Sequence, residues 1–168
     1  MKEWRDVMDN VNTYISILRS SLQKKFTLIK ELLELTKEQN IILSEQEMDV
    51  EAFDSIVDKK EIRINEVAEI DKGFQSVFDK IGAAIKERPQ EYRSQILELQ
   101  NLIRTIIDIG VEIESLEQKN KVKFNKFLAE KRGDIKSFKV SNKTAVSYYK
   151  NMSNQHREWQ SYFFDKKK

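Results

Sequence analysis

Over about 130 residues the apolar side chains of this chain recur at steps of three and four, with almost nothing to interrupt them. Only four glycines and one proline occur in 168 residues. Turns and sheets need more breakers than that, so long helices are what such a chain can form. Residues 3–44 carry Val7, Val11, Tyr14, Leu18, Leu22, Ile29, Leu32, Leu35 and Leu43 along one helical face. At ~1.5 Å per residue this is a rod of about 60 Å, too long for a globule of this size. The expected fold is therefore all-α: an elongated up-down-up bundle of three long antiparallel, coiled-coil-like helices.

The second segment, 50–87, follows a break around 44–49. Ser44-Glu-Gln-Glu47 fits a capping box, and Asp49 is the preferred N-cap because Val50-Glu51-Ala52 then opens the helix with an acid near its positive end. Its stripe runs Phe53, Ile56/Val57, Ile64, Val67, Phe74, Val77/Phe78, Ile81 and Ile85. Lys60 falls on that stripe and reads as a lysine with a buried stem and a wet ammonium. Gly73 and Gly82 weaken the helix, which a close backbone approach or fraying near the helix end would explain. Arg88-Pro89 closes the segment, and proline suits the first turn of the next one. The third segment, 90–131, carries Tyr92, Ile96, Leu99, Ile103, Ile106, Gly110, Ile113, Leu116, Asn120, Phe124 and Phe127. Gly110 leaves room for a neighbouring helix. Asn120 puts an amide into the stripe, where it can fix register at some cost in stability.

Gly133 reads either as the cap of the third helix or as a point within it, since Ile135, Phe138, Ala145/Val146 and Tyr149 continue the spacing. Residues 134–150 are expected to form a weaker helix and 151–168 to be mostly irregular, because Asn151, Ser153, Asn154 and Gln155 disfavour helix. The expected organisation is a bundle over 1–133 and a separate C-terminal segment over 134–168.

That segment is the one unusual feature. The last 21 residues hold six of the chain's aromatic rings: Tyr148, Tyr149, Trp159, Tyr162, Phe163 and Phe164. A short polar stretch cannot bury so many rings against itself, and exposed rings mark docking sites. From Lys131 onward, ten Lys and Arg against Asp134, Glu158 and Asp165 make the segment +7, which leaves −5 for residues 1–130. Such asymmetry points to an acidic partner, a nucleic acid or an anionic surface, or else to a solvated end that keeps the protein soluble. The rings could also fold back and plug the open groove of a three-helix bundle.

Catalytic chemistry finds no foothold. The single histidine, His156, sits in a polar stretch and reads as exposed. Paired Glu-x-x-His motifs, a His/Cys cluster, a Walker loop and a Gly-x-Ser-x-Gly elbow are all missing from the sequence. Without cysteine there is no disulfide or thiolate site. Residues 1–6 open no signal-peptide run, and no stretch reaches the ~18 apolar residues of a membrane span. The reading is a cytoplasmic protein, not an enzyme, without cofactor, metal, small-molecule substrate or membrane insertion, a monomer or weak dimer.

The order of motifs resembles a known family. A leading helix carries Lys30-Glu-Leu-Leu-Glu-Leu35. The second helix is acid-led (Asp49-Val-Glu-Ala-Phe53), with Lys59-Lys60-Glu61 and then Ile64 through Phe78. Ile113-Glu-Ser-Leu-Glu-Gln-Lys-Asn120 marks the third, and the chain closes with Tyr148-Tyr149 and Phe163-Phe164-Asp165-Lys-Lys-Lys168. This resembles the FlgN-type flagellar export chaperones, particularly Gram-positive forms ending in aromatic-Asp-Lys-Lys. The resemblance implies a chaperone that consumes no ATP and holds hook-filament junction (hook-associated) proteins before type III flagellar export. It implies that a C-terminal amphipathic segment binds the helix-forming C-terminus of the cargo. By that resemblance, and by the exposed-ring argument above, the partner-binding residues are Ile135, Phe138, Val146, Tyr148, Tyr149, Met152, Trp159, Phe163 and Phe164. Contacts with the export ATPase and gate components are implied as well, with Tyr149 a candidate. The polar stretch Asn151 to His156 departs from the family pattern, which leaves the register of the last contacts open. Two other readings stand beside this one: a dimerising coiled-coil spacer, and a nucleic-acid or membrane binder using the basic segment.

Overall fold

The computed structural model describes residues 2–130, apart from the side chains of residues 4 and 7–9. Among the described residues four helices form: α1, Lys2–Asp9; α2, Val11–Ser44; α3, Val50–Glu87; and α4, Arg93–Glu130. No strand occurs among the described residues, and the helices pack on one another as an all-α bundle. The division of the chain at residue 133 and the segment beyond it lie outside the described residues, as does the side chain of Val7.

The helix ends have local causes. Asn10 separates α1 from α2: its side-chain amide donates to the Asp6 carbonyl at 2.8 Å, competing with the backbone ladder. Asp49 caps α3, its Oδ1 accepting from the Ala52 amide at 3.1 Å while its carbonyl accepts from Phe53 at 3.0 Å. Ser44 is not the cap. It closes α2, with its hydroxyl donating back to the Asn40 carbonyl at 2.6 Å. The expected start of the third helix at residue 90 is corrected to Arg93. Pro89 opens a turn instead, because the Arg88 carbonyl accepts from Glu91 three residues on (3.2 Å) rather than from residue 92. The Tyr92 carbonyl then takes the first helical bond, from Ile96 at 2.9 Å.

Every residue of the expected stripes whose side chain is described is buried or half-buried. The described residues divide into two compact units, one of residues 2–29 and 65–106, the other of residues 30–64 and 107–130. In the first unit Val11, Ile15, Leu18, Leu22 and Ile29 of α2 share the core with Val67, Phe74, Phe78, Ile81 and Ala84 of α3. Tyr92, Leu99, Ile103 and Ile106 complete it. Phe74 and Phe78 stack with centroids 6.3 Å apart. In the second unit the core holds Leu32, Leu33, Ile56 and Ile113, and a terminal cluster of Met48, Phe53 and Phe124. Here α3 runs antiparallel to the other two: Gln39 meets Lys60 and Glu31 meets Arg63, whereas Thr36 meets Asn120 and Ser44 meets Lys123. Glycine is not required at 73, where an added Cβ would meet nothing within 4 Å; neither a close approach nor a helix end accounts for it.

Candidate functional site

Two arrangements of side chains in the described residues go beyond ordinary helix packing. The first is a set of polar groups inside the core. In the first unit the Lys25 ammonium donates to Asp71 Oδ1 at 2.9 Å, and both side chains are almost wholly buried, at 1% and 5% exposure. Burial pushes the Lys25 pKa below the usual lysine range, and the Asp71 charge and hydrogen bond pull it part of the way back. Burial likewise raises the Asp71 carboxyl, and Lys25 opposes that.

In the second unit the Lys60 ammonium is not wet. It is buried, donating to Gln39 Oε1 at 2.7 Å and to Glu117 Oε1, so that one cation ties α3 to both other helices. This corrects the expectation of a solvated head. The facing helices offer Gln39 and Glu117 at its level, so the ammonium is paired inside instead of reaching water. Desolvation lowers its pKa, with Glu117 acting the other way. Three residues past Glu117 on α4, Asn120 is buried and donates to the Thr36 carbonyl at 3.2 Å while accepting from Asn40 Nδ2 at 2.8 Å. Lys123 bonds Asn40 Oδ1 at 3.2 Å and Ser44 Oγ at 2.6 Å. An amide in the stripe thus has its partners, as expected of a register-setting residue.

The second arrangement is the apolar end of that unit. Phe53 and Phe124 stack with centroids 5.4 Å apart and planes 10° from parallel, beside Met48. Around them Ile42, Leu43, Val57, Phe127 and Leu128 are only partly buried. Phe127 and Leu128 stand in the last turn of α4, directly before residue 131.

None of this is a catalytic constellation. Among the described residues no group of three or more His, Cys, Asp or Glu could hold a metal. No helix there is long and apolar enough to cross a membrane. The partner-binding residues expected from the sequence, Ile135, Phe138, Val146, Tyr148, Tyr149, Met152, Trp159, Phe163 and Phe164, all lie outside the described residues, and so do Gly133 and His156. The Lys25–Asp71 pair was not anticipated. Its signal was present as two seven-residue steps in the stripes, Leu22 to Ile29 and Val67 to Phe74, each with a charge where an apolar residue would fall.

Three long helices packed as an all-α bundle, with buried polar groups meeting across them, define the fold class. The model of the family described as FlgN protein matches residues 8–156. With most of its length matched, this chain belongs to the FlgN family. That is a chaperone family, not known for enzymatic activity, and membership gives the chain the general role of a flagellar export chaperone. The match takes in Ile135, Phe138, Val146, Tyr148, Tyr149 and Met152 but stops short of Trp159, Phe163 and Phe164. No curated protein and no solved structure matches the chain.

Proposed function

We propose that this protein escorts hook-associated proteins to the flagellar export apparatus, binding their helix-forming C-terminal segments with its own residues 134–164. The observation that carries this is the family match, which runs past the end of α4 into the ring-bearing segment as far as residue 156. The bundle of residues 1–133 is then the scaffold, and the basic, aromatic segment is the part that captures cargo. The export ATPase or gate receives the complex, with Tyr149 as a contact, and the site of action is the cytoplasm.

The physical chemistry suits a reversible escort. Six apolar side chains buried at ~1.5–3 kcal/mol each supply roughly 9–18 kcal/mol gross. Ordering two flexible segments and losing free motion consume several kcal/mol of this, leaving a Kd of about micromolar to nanomolar. Cargo held in that range can be released at an export gate.

Calorimetric titration of the full chain with a C-terminal hook-associated peptide tests the role. Phe138→Ala with Tyr149→Ala should weaken binding by about 100-fold or more, two large side chains being lost, while the thermal melt is unchanged. Undiminished binding after removal of residues 134–168 would overturn the assignment of the site. A concentration-dependent dimer with no affinity for any flagellar protein would favour the spacer reading instead.

A further inference from the structure

The charge of residues 1–130 is not spread evenly. From Glu38 through Asp58 there are seven acids (Glu38, Glu45, Glu47, Asp49, Glu51, Asp54 and Asp58) and no Lys, Arg or His. This stretch is the end of α2, the connection and the first turns of α3, and it contributes Met48 and Phe53 to the cluster that Phe124 completes. Glu45, Glu47, Asp49, Glu51 and Asp58 are exposed. No ion pair to any of the seven is found among the described residues. The apolar side chains packed against that cluster, Ile42, Leu43, Val57, Phe127 and Leu128, are only partly covered, and Val50 is 39% exposed. The C-terminal 38 residues, at +7, leave α4 immediately after this cluster.

We infer that the acid-bordered apolar end of the second unit is the docking surface for this chain's own C-terminal segment, residues 134–164. Three features select this occupant over another chain. Its charge is opposite to that of the 38–58 stretch, which outweighs Lys119, Lys121, Lys123 and Lys126 on α4 at the same end. Its rings match an apolar patch too incompletely covered to close by itself. Its start, seven residues beyond Phe127 in the chain, gives it a high effective concentration there, which a free partner must overcome. Docking as such is independent of what the segment binds. Its regulatory meaning rests on the cargo-binding role proposed above: the free chaperone keeps its rings covered, and cargo must displace them from the patch.

Hydrogen exchange of the full chain, read by mass spectrometry over 134–164, tests this. Glu45→Lys with Glu47→Lys reverses charge in the connection without touching a helix or the Asp49 cap. Glu112→Lys with Glu114→Lys makes the same charge change on the exposed face of α4. Amides of 134–164 should be protected in the parent and in the α4 variant, and exchange about tenfold faster in the connection variant and at high salt. The connection variant should also bind a hook-associated C-terminal peptide more tightly, by a similar factor, because the competing contact is weakened. Unprotected amides in the parent would overturn docking while leaving the cargo role intact. Equal protection in both variants would overturn the choice of surface. Protection that grows with protein concentration would identify a second copy as the occupant and overturn the inference. Protection lost only in the connection variant, with no peptide binding by any form, would support docking and refute the cargo role.

Discussion

Lys25 and Asp71 show how a charge is tolerated inside a helical bundle: each is kept by the other. Removing one partner leaves an uncompensated buried charge, whereas replacing both with apolar groups of similar size removes the desolvation penalty together with the attraction. Asp71→Ala should therefore cost about 3–5 kcal/mol, while Lys25→Met with Asp71→Leu should be neutral or stabilising by up to about 4 kcal/mol, as measured by urea unfolding. Lys60 adds a dependence on pH. Native Lys25 and Lys60 release their protons at lower pH than the same lysines in the unfolded chain. In the alkaline interval between the two values the unfolded chain holds more protons, so these lysines make stability rise with pH. Asp71 acts oppositely at the acid end. Its native carboxyl keeps a proton to higher pH than in the unfolded chain, so its contribution falls as pH rises above the ordinary carboxylate value. The stability gap between the parent and the Lys25→Met/Asp71→Leu protein should narrow as pH is raised through the alkaline interval; urea midpoints across that range check it. A gap that widened there would contradict desolvation as the dominant cause.

At the scale of the element, the helices take their limits from single residues. Asp49→Ala removes the acceptor for the Ala52 amide and should cost about 0.5–2 kcal/mol. Gly73→Ala should do the reverse, adding up to ~1 kcal/mol, because position 73 is helical, exposed and has open space for a methyl group. Thermal melts of the two variants, run together, test both signs. Much of the helical pattern was legible beforehand because its causes are local. The Asp49 cap follows from the residues beside it, and α3 spans the 50–87 that its stripe outlined. The starts of α2 and α4 were harder. The apolar spacing passes through Asn10 without a change of period, so periodicity cannot register that the side-chain amide interrupts the ladder there. At Pro89 the residue type allows either a first helical turn or a tighter one, and the Arg88–Glu91 bond selects the tighter.

For the whole molecule, the function proposed above would give residues 2–130 the part of scaffold and leave cargo to the residues that follow them in sequence. A protein ending at Glu130 should accordingly unfold in one cooperative transition by circular dichroism, with its helical signal retained. Loss of cooperativity on truncation would show that the segment is part of the core. Phe124→Ala should be felt more strongly, costing about 3–5 kcal/mol, because it empties the stack on Phe53. Of the candidate site, the ring-rich, basic composition of the segment was plain from the sequence. The acid-bordered cluster opposite to it in charge was not singled out, because it takes the packing of Met48 on Phe53 and Phe124 to make those residues one surface.

By itself, the sequence determined that this chain is helical, how many long helices it has and which face of each is apolar. Those are properties of backbone geometry over neighbouring residues, and a period of 3.6 records them directly. Only the tertiary structure decided which charges lie inside and what satisfies them. Lys25 meets Asp71 across 46 positions, Lys60 meets Glu117 across 57, and Asn120 meets Thr36 across 84. A lysine on an apolar stripe is compatible with a wet head or a buried pair. The choice depends on what the facing helix offers at the same level, which is set by the relative placement of helices far apart in the chain.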